Sequence, residues 1–152
     1  ALDDTLSAFD ALIKRSNVEV RFTPGGYPSV VSQRVLLTQI LNSLFANALE
    51  AMPKGGVLSL DIAQIEDGRL QMTLTDTGKG MSKQQEQMVF KPFFTTKQGG
   101  LGVGLALVKR IMERFEGSVE LTSQEQEGTR VCLTFKVAAG GEYGAQHIAG
   151  RG

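Results

Sequence analysis

The sequence predicts an α+β fold: a two-layer α/β sandwich, with a mixed, mainly antiparallel sheet covered on one face by helices. Three observations predict it. Apolar residues recur at helical spacing in some segments and alternate strictly in others. Successive strand segments are joined by short turns, which makes antiparallel neighbours. With 152 residues, 41% of them hydrophobic, the chain is large enough for one core, which both layers must share.

The elements follow in order. Leu2, Leu6, Phe9, Leu12 and Ile13 place an amphipathic helix over residues 3–15. Val18–Phe22 alternates as a strand, and Pro24-Gly25-Gly26-Tyr27-Pro28 turns the chain before the apolar pair Val30-Val31. Ser32 caps a helix running from about Gln33 to Met52, with Leu37, Leu41, Leu44, Ala48 and Ala51 on one stripe; Pro53-Lys54-Gly55-Gly56 stops it. Strands at 57–65 and 70–75 are joined by the hairpin loop Glu66-Asp67-Gly68-Arg69. The pattern then breaks down from Asp76 to about Val103, apart from a short helix at 82–88. A clear helix spans 103–115, buried through Leu105, Leu107, Val108, Ile111 and Met112 and ended by Gly117. Strands at 118–123 and 129–137, around the turn 124–128, close the domain, and 138–152 reads as a flexible Gly-rich tail.

Composition removes several classes. Sixteen basic residues balance sixteen acidic ones, so no net field draws the chain to nucleic acid or an anionic membrane. One cysteine, Cys132, rules out a disulfide framework or a thiolate zinc site; on its strand it reads as packed and unreactive. One histidine, His147, lies in the tail and rules out a histidine cluster. No apolar run reaches the ~18 residues of a membrane helix. The unusual number is 18 glycines, and their placement carries the functional reading.

Three stretches hold the chemistry. Asn47 interrupts an apolar helix face, with Ser43 four residues before and Glu50 three after it, so the three line one row. Such a row suits a ligand or metal, or is simply a solvated flank. Asp76-Thr77-Gly78-Lys79-Gly80-Met81 follows an apolar strand. A carboxylate there accepts from an exocyclic amine, and the glycines let backbone approach a planar group, although Asp and Gly also make plain turns. Gly99-Gly100-Leu101-Gly102-Val103-Gly104-Leu105 opens a helix, where free amides suit an anion. It matches neither the Walker pattern nor the dinucleotide fingerprint. Between the last two, Phe90, Phe93 and Phe94 read as core or as the clasp of a mobile loop.

In this order the motifs resemble those of the two-component sensor histidine kinases. Residues 39–51, with Asn47, resemble their N box; Asp76–Gly80 resembles the G1 box, Phe90–Lys97 the F box and Gly100–Leu105 the G2 box. The resemblance spans roughly residues 18–137. It implies the catalytic domain with the Bergerat ATP-binding fold, shared with gyrase B, the Hsp90 chaperones and the mismatch-repair MutL proteins, and with a mobile ATP lid. The Pro-Phe-Phe-Thr-Thr-Lys wording is closest to nitrogen-regulation and oxygen-sensing types.

The resemblance then implies roles. ATP and Mg²⁺ are the expected cofactors, with Asn47 the metal ligand. Asp76 would accept from the adenine amine, and Gly78, Gly80 and Met81 would wrap the base, with Thr129 near it. Thr96 and Lys97 would reach the phosphates from the lid, Lys97 acting with Asn47 in catalysis. Gly100, Leu101, Gly102, Val103, Gly104 and Leu105 would present amides to them, and Glu50 would lie close by. The phosphoryl group would pass to a histidine on a dimerisation domain outside this chain, with residues 1–17 as the linking helix, and then to a response regulator. No nucleic acid or membrane contact by this domain is implied. The expected location is cytoplasmic, with any membrane anchor left to the rest of the parent.

Two departures stand out. Ser43 occupies a position where the family usually has Asn, and Glu50 one where many relatives carry Lys. Two other readings remain open at this point: a serine-kinase anti-sigma factor or other Bergerat ATPase, and a degenerate nucleotide-sensing module. The Phe-Phe-Thr-Thr-Lys stretch argues against the former, and so does the absence of an acidic N-box base.

Overall fold

The computed structural model describes residues 2–15, 17–23, 34–91, 104–114 and 116–136. Along the chain run α1 (Leu2–Arg15), β1 (Val18–Thr23), α2 (Arg34–Glu50), β2 (Gly56–Ile65), β3 (Arg69–Asp76), α3 (Lys83–Met88), α4 (Gly104–Arg114), β4 (Ser118–Gln124) and β5 (Gly128–Lys136). The expected turn at 24–28, Val30-Val31, the Ser32 cap, the stretch 92–103 and the tail 138–152 lie outside the described residues.

The sheet has the order β1-β2-β3-β5-β4. β2–β3 and β4–β5 pair antiparallel, as their short connections require, and β3 pairs antiparallel with β5 across the longer connection through α3, α4 and β4. β1 runs parallel to β2, with Val18 opposite Gly56, because α2 forms the crossover between them. Register carries the apolar alternation across the strands: Leu60 faces Leu74, which faces Val131, and all three are buried. The alternate residues Glu19, Arg21, Asp61 and Glu120 are exposed on the uncovered face. The loop expected at 66–69 is one 3-10 turn, Glu66–Gly68, leading directly into β3.

Three helices close the covered face. α2 is buried more widely than one stripe, since Ile40, Leu41, Leu44, Phe45, Ala48 and Leu49 are each at most 3% exposed. A helix apolar on most sides must be covered on most sides. α1 supplies the extra cover: the Phe9 ring centroid lies 6.1 Å from that of Phe45, and Ile13 also packs against the core.

α4 buries Val108, Ile111 and Met112. Leu107, expected on that side, is 40% exposed. It lies ~100° round the helix from Val108, towards the exposed Arg114. The stop also differs in detail. Glu116, not Gly117, takes the left-handed conformation (φ 54°). Its N–H donates to Glu113 O (3.1 Å), and the Gly117 N–H donates to Met112 O (2.8 Å). That pair of bonds satisfies the last carbonyls of α4 in a Schellman turn. Cys132 is half-buried on the uncovered face, where the Thr73 hydroxyl donates to its sulfur at 3.8 Å.

Candidate functional site

The site begins where β3 ends. Asp76 stands opposite Thr129 of β5, so both side chains leave the same face of the sheet. Asp76 is 8% exposed. Its Oδ1 accepts from Gly78 N (2.9 Å) and Thr129 N (3.3 Å). Burial pushes its carboxyl above the ordinary carboxylate value, and these two backbone bonds pull the other way. Oδ2 carries no hydrogen bond among the described residues. No buried side-chain oxygen or nitrogen among them lacks a partner, so Oδ2 opens on space outside the packed core.

The loop after Asp76 is held on three sides. Thr77 exchanges bonds with Val57 of β2: Thr77 N donates to Val57 O (3.2 Å) and Val57 N to Thr77 Oγ1 (3.0 Å). Gly78 lies flat on the end of α2, where an added Cβ would sit 2.7 Å from Ala51 Cβ. Lys79 N donates to Ala51 O at 3.0 Å. Gly80 has φ 67°, and a Cβ there would run into the Gln124 carbonyl, so only glycine fits. Beyond it, Met81 N donates to Ser123 Oγ at 2.8 Å. Ser82 then caps α3 through reciprocal bonds with Gln85. The β4–β5 turn joins in, with Gln126 N donating to Lys79 O at 2.7 Å.

The second half of the site meets the same row of α2 about one turn earlier. A Cβ at Gly104, the first residue of α4, would lie 3.9 Å from Ser43 Cβ and 4.0 Å from Asn47 Nδ2. Ser43, Asn47 and Ala51 form one i, i+4, i+8 row. The loop from Asp76 lies on Ala51, and the amide-bearing start of α4 lies beside Asn47 and Ser43. One turn, ~6 Å, separates Ala51 from Asn47. Asn47 is half-buried, and Glu50 is exposed near the end of the helix. Leu105 packs against the core.

Of the residues singled out from sequence, Asn47, Asp76, Gly78, Gly80, Met81, Gly104 and Thr129 are thus connected through α2 and the adjoining ends of β3, β5 and β4. Thr96, Lys97, Gly100, Leu101, Gly102 and Val103 lie outside the described residues. Sequence reasoning missed Thr77, Ala51 and Ser123. Ser123 left a signal: it breaks the alternation of Val119 and Leu121 with a polar residue, directly opposite Thr129. It is 6% exposed. Among the described residues no three His, Cys, Asp or Glu side chains gather to hold a metal. An ion here would take one amide oxygen from Asn47 and most of its ligands from a substrate and water, the habit of Mg²⁺ at phosphates.

The family described as Histidine kinase-, DNA gyrase B-, and HSP90-like ATPase matches residues 32–139, which hold α2, the Asp76 loop, the start of α4 and Thr129. The chain belongs to this family. The sensor histidine kinase ZraS of Escherichia coli (strain K12) is 36% identical over 121 residues, covering 79% of this chain and 26% of ZraS. The chain therefore spans about a quarter of that relative. Among solved structures, the catalytic domain of histidine kinase ThkA superposes with a TM-score of 0.74 at 21% identity, over 88% of each chain. Full-length ShkA in complex with AMPPNP gives 0.78 at 24% identity, over 92% of this chain and 30% of ShkA. These two likenesses concern the fold, which is the Bergerat-like α/β sandwich. Among the described residues no helix is long and apolar enough to cross a membrane.

Proposed function

We propose that this chain binds Mg-ATP and donates the γ-phosphoryl group to a histidine on a separate helical domain, in two-component signalling. The observation that carries the reading is the row on α2, with a base-reading loop seated at Ala51 and the open end of α4 beside Asn47. A single helix thereby links an acceptor for a purine amine to amides for phosphate. The free Oδ2 of Asp76 accepts from the amine, and Gly78 and Gly80 bring main chain against the ring. Free N–H groups at the start of α4 face the phosphates.

Asn47 holds Mg²⁺ through its amide oxygen. When bound, the ion neutralises charge on the phosphate oxygens. Thr96, Lys97, and the amides from Gly100 to Val103 complete the phosphate end. Glu50, exposed at the end of α2, contributes a carboxylate near that region. The phosphoryl acceptor is the histidine of the parent's own dimerisation domain, with residues 1–17 as the connection, and a response regulator is the final recipient. The histidine kinase naming of ZraS supports this choice within the family.

The test has two stages. Calorimetric titration with ADP and a non-hydrolysable ATP analogue, with and without Mg²⁺, should give saturable binding that Mg²⁺ strengthens for the triphosphate. Labelled ATP mixed with this chain and a histidine-bearing hairpin of the parent should then label the hairpin in an acid-labile form. No nucleotide binding at millimolar concentration refutes the site; binding without transfer refutes the kinase reading.

A further inference from the structure

Ser123 is a buried hydroxyl on which three partners converge. Met81 N donates to its Oγ at 2.8 Å, Gly128 O lies at 3.0 Å, and Thr129 Oγ1 at 2.8 Å. A hydroxyl has one hydrogen to give and two lone pairs to receive. The three partners are not equivalent. A backbone N–H can only donate, so Met81 fills one lone pair. A carbonyl can only accept, so Gly128 O takes the single hydrogen of Ser123. Thr129 is then left one role, to donate its own hydrogen into the second lone pair. Every capacity of Ser123 is used, as expected of a hydroxyl 6% exposed.

The consequence appears one residue further on. With its hydrogen committed to Ser123, the Thr129 hydroxyl turns only lone pairs outward. Thr129 is half-buried and stands opposite Asp76, whose Oδ2 is likewise an open acceptor. Directly paired residues on one sheet face have Cβ atoms ~4.5–5.5 Å apart. Two acceptors carried on neighbouring Cβ atoms can each receive one of the two hydrogens of a single exocyclic amine.

We infer that Ser123 is a positioning residue: it fixes Thr129 as a hydrogen-bond acceptor, so that Thr129 and Asp76 together read the amine of the purine. The same hydroxyl ties the Asp76 loop, through Met81, to the β4–β5 edge. The inference rests on the nucleotide reading above and adds to it the polarity of one recognition contact and the residue that sets it.

The experiment compares ADP with purine riboside 5′-diphosphate, which carries hydrogen where adenine carries its amine. Both are titrated calorimetrically into the 152-residue chain, and the ratio of their Kd values is the readout. The unaltered chain should prefer ADP. Ser123→Ala frees the Thr129 hydrogen and should shrink that preference about three- to tenfold, the worth of one hydrogen bond. Thr129→Val should shrink it comparably, and adding Ser123→Ala to Thr129→Val should change it no further. Ser123→Thr keeps the hydroxyl and should restore the preference. A purely structural role for Ser123 would weaken both ligands equally and leave the ratio alone.

Should Ser123→Ala not fold, Ser123→Cys fills the space with a weak donor and acceptor and should shrink the ratio too. An unchanged ratio in a folded Ser123→Ala or Ser123→Cys chain overturns the inference and leaves the nucleotide reading standing. Failure of the unaltered chain to bind ADP removes both.

Discussion

Replacing Asp76 by Asn should separate stability from binding. The amide oxygen of Asn takes over both bonds that Oδ1 receives, from Gly78 N and Thr129 N. What changes is the second position, where an open carboxylate oxygen becomes an N–H donor facing the ligand's own amine. Losing a hydrogen bond to a charged group costs about 1.5–3 kcal/mol, so ADP affinity should fall about 10- to 150-fold.

Stability should move the other way. Burial raises the Asp76 carboxyl above its ordinary value, so the folded chain holds that proton more tightly than the unfolded one. Ionising Asp76 therefore removes stability as pH rises from the unfolded value through the raised folded value, and the loss is complete above it. Asp76→Asn has no such charge to bury. At neutral pH it should melt above the unaltered chain, and the gap should close under acid conditions below the unfolded value. Calorimetric titration with ADP and thermal melts across pH measure the two effects. Undiminished ADP affinity would refute Asp76 as the amine acceptor. A lower melting temperature at neutral pH would refute the account of its burial.

Four further outcomes follow from the same geometry. Gly104→Ala should fold normally, since its methyl meets Ser43 and Asn47 only at ordinary contact distance; yet that methyl stands between α4 and Asn47, so triphosphate affinity should fall in titration. Asn47→Ala should abolish the Mg²⁺ enhancement of triphosphate binding while leaving Mg²⁺-free ADP affinity within about twofold, because the row's base end at Ala51 is untouched. Phe45→Ala should cost about 3–5 kcal/mol in urea denaturation, since the ring is fully buried between α1 and the core. Glu116→Gly should raise stability by about 0.5–1 kcal/mol in the same assay, because an exposed Glu now holds a left-handed conformation that costs glycine little.

The elements were legible wherever the period was clean. β2 and β3 carry a two-residue apolar repeat through Leu58, Leu60 and Ile62 and through Leu70, Met72 and Leu74, and the structure pairs them as the sequence reading expects. The helix stripes were read less well. Phe45 escaped because a single amphipathic stripe assumes one covered side, while α1 adds a second. The spacing puts Leu107 beside the buried Val108, and only packing decides which of the two adjacent faces closes. Glu116 was passed over because glycine is the usual left-handed residue and Gly117 stood beside it. At the site, Asp76 and its glycines were visible as a motif, but Ser123 was hidden. Its partners Met81 and Thr129 are 42 and 6 residues away along the chain, and only folding makes them neighbours.

Because the Asp76 loop and the start of α4 both rest on α2, that helix would act as a ruler for the proposed nucleotide. Its rise per residue is set by the i to i−4 hydrogen bonds, including Ala51 N to Asn47 O (3.1 Å), so the gap from Ala51 to Asn47 cannot stretch without breaking them. A shift of α2 carries both marks together and preserves their spacing. Evolutionary or engineered change in which nucleotide is measured must therefore come from the strands on one side or from the chain entering α4 on the other.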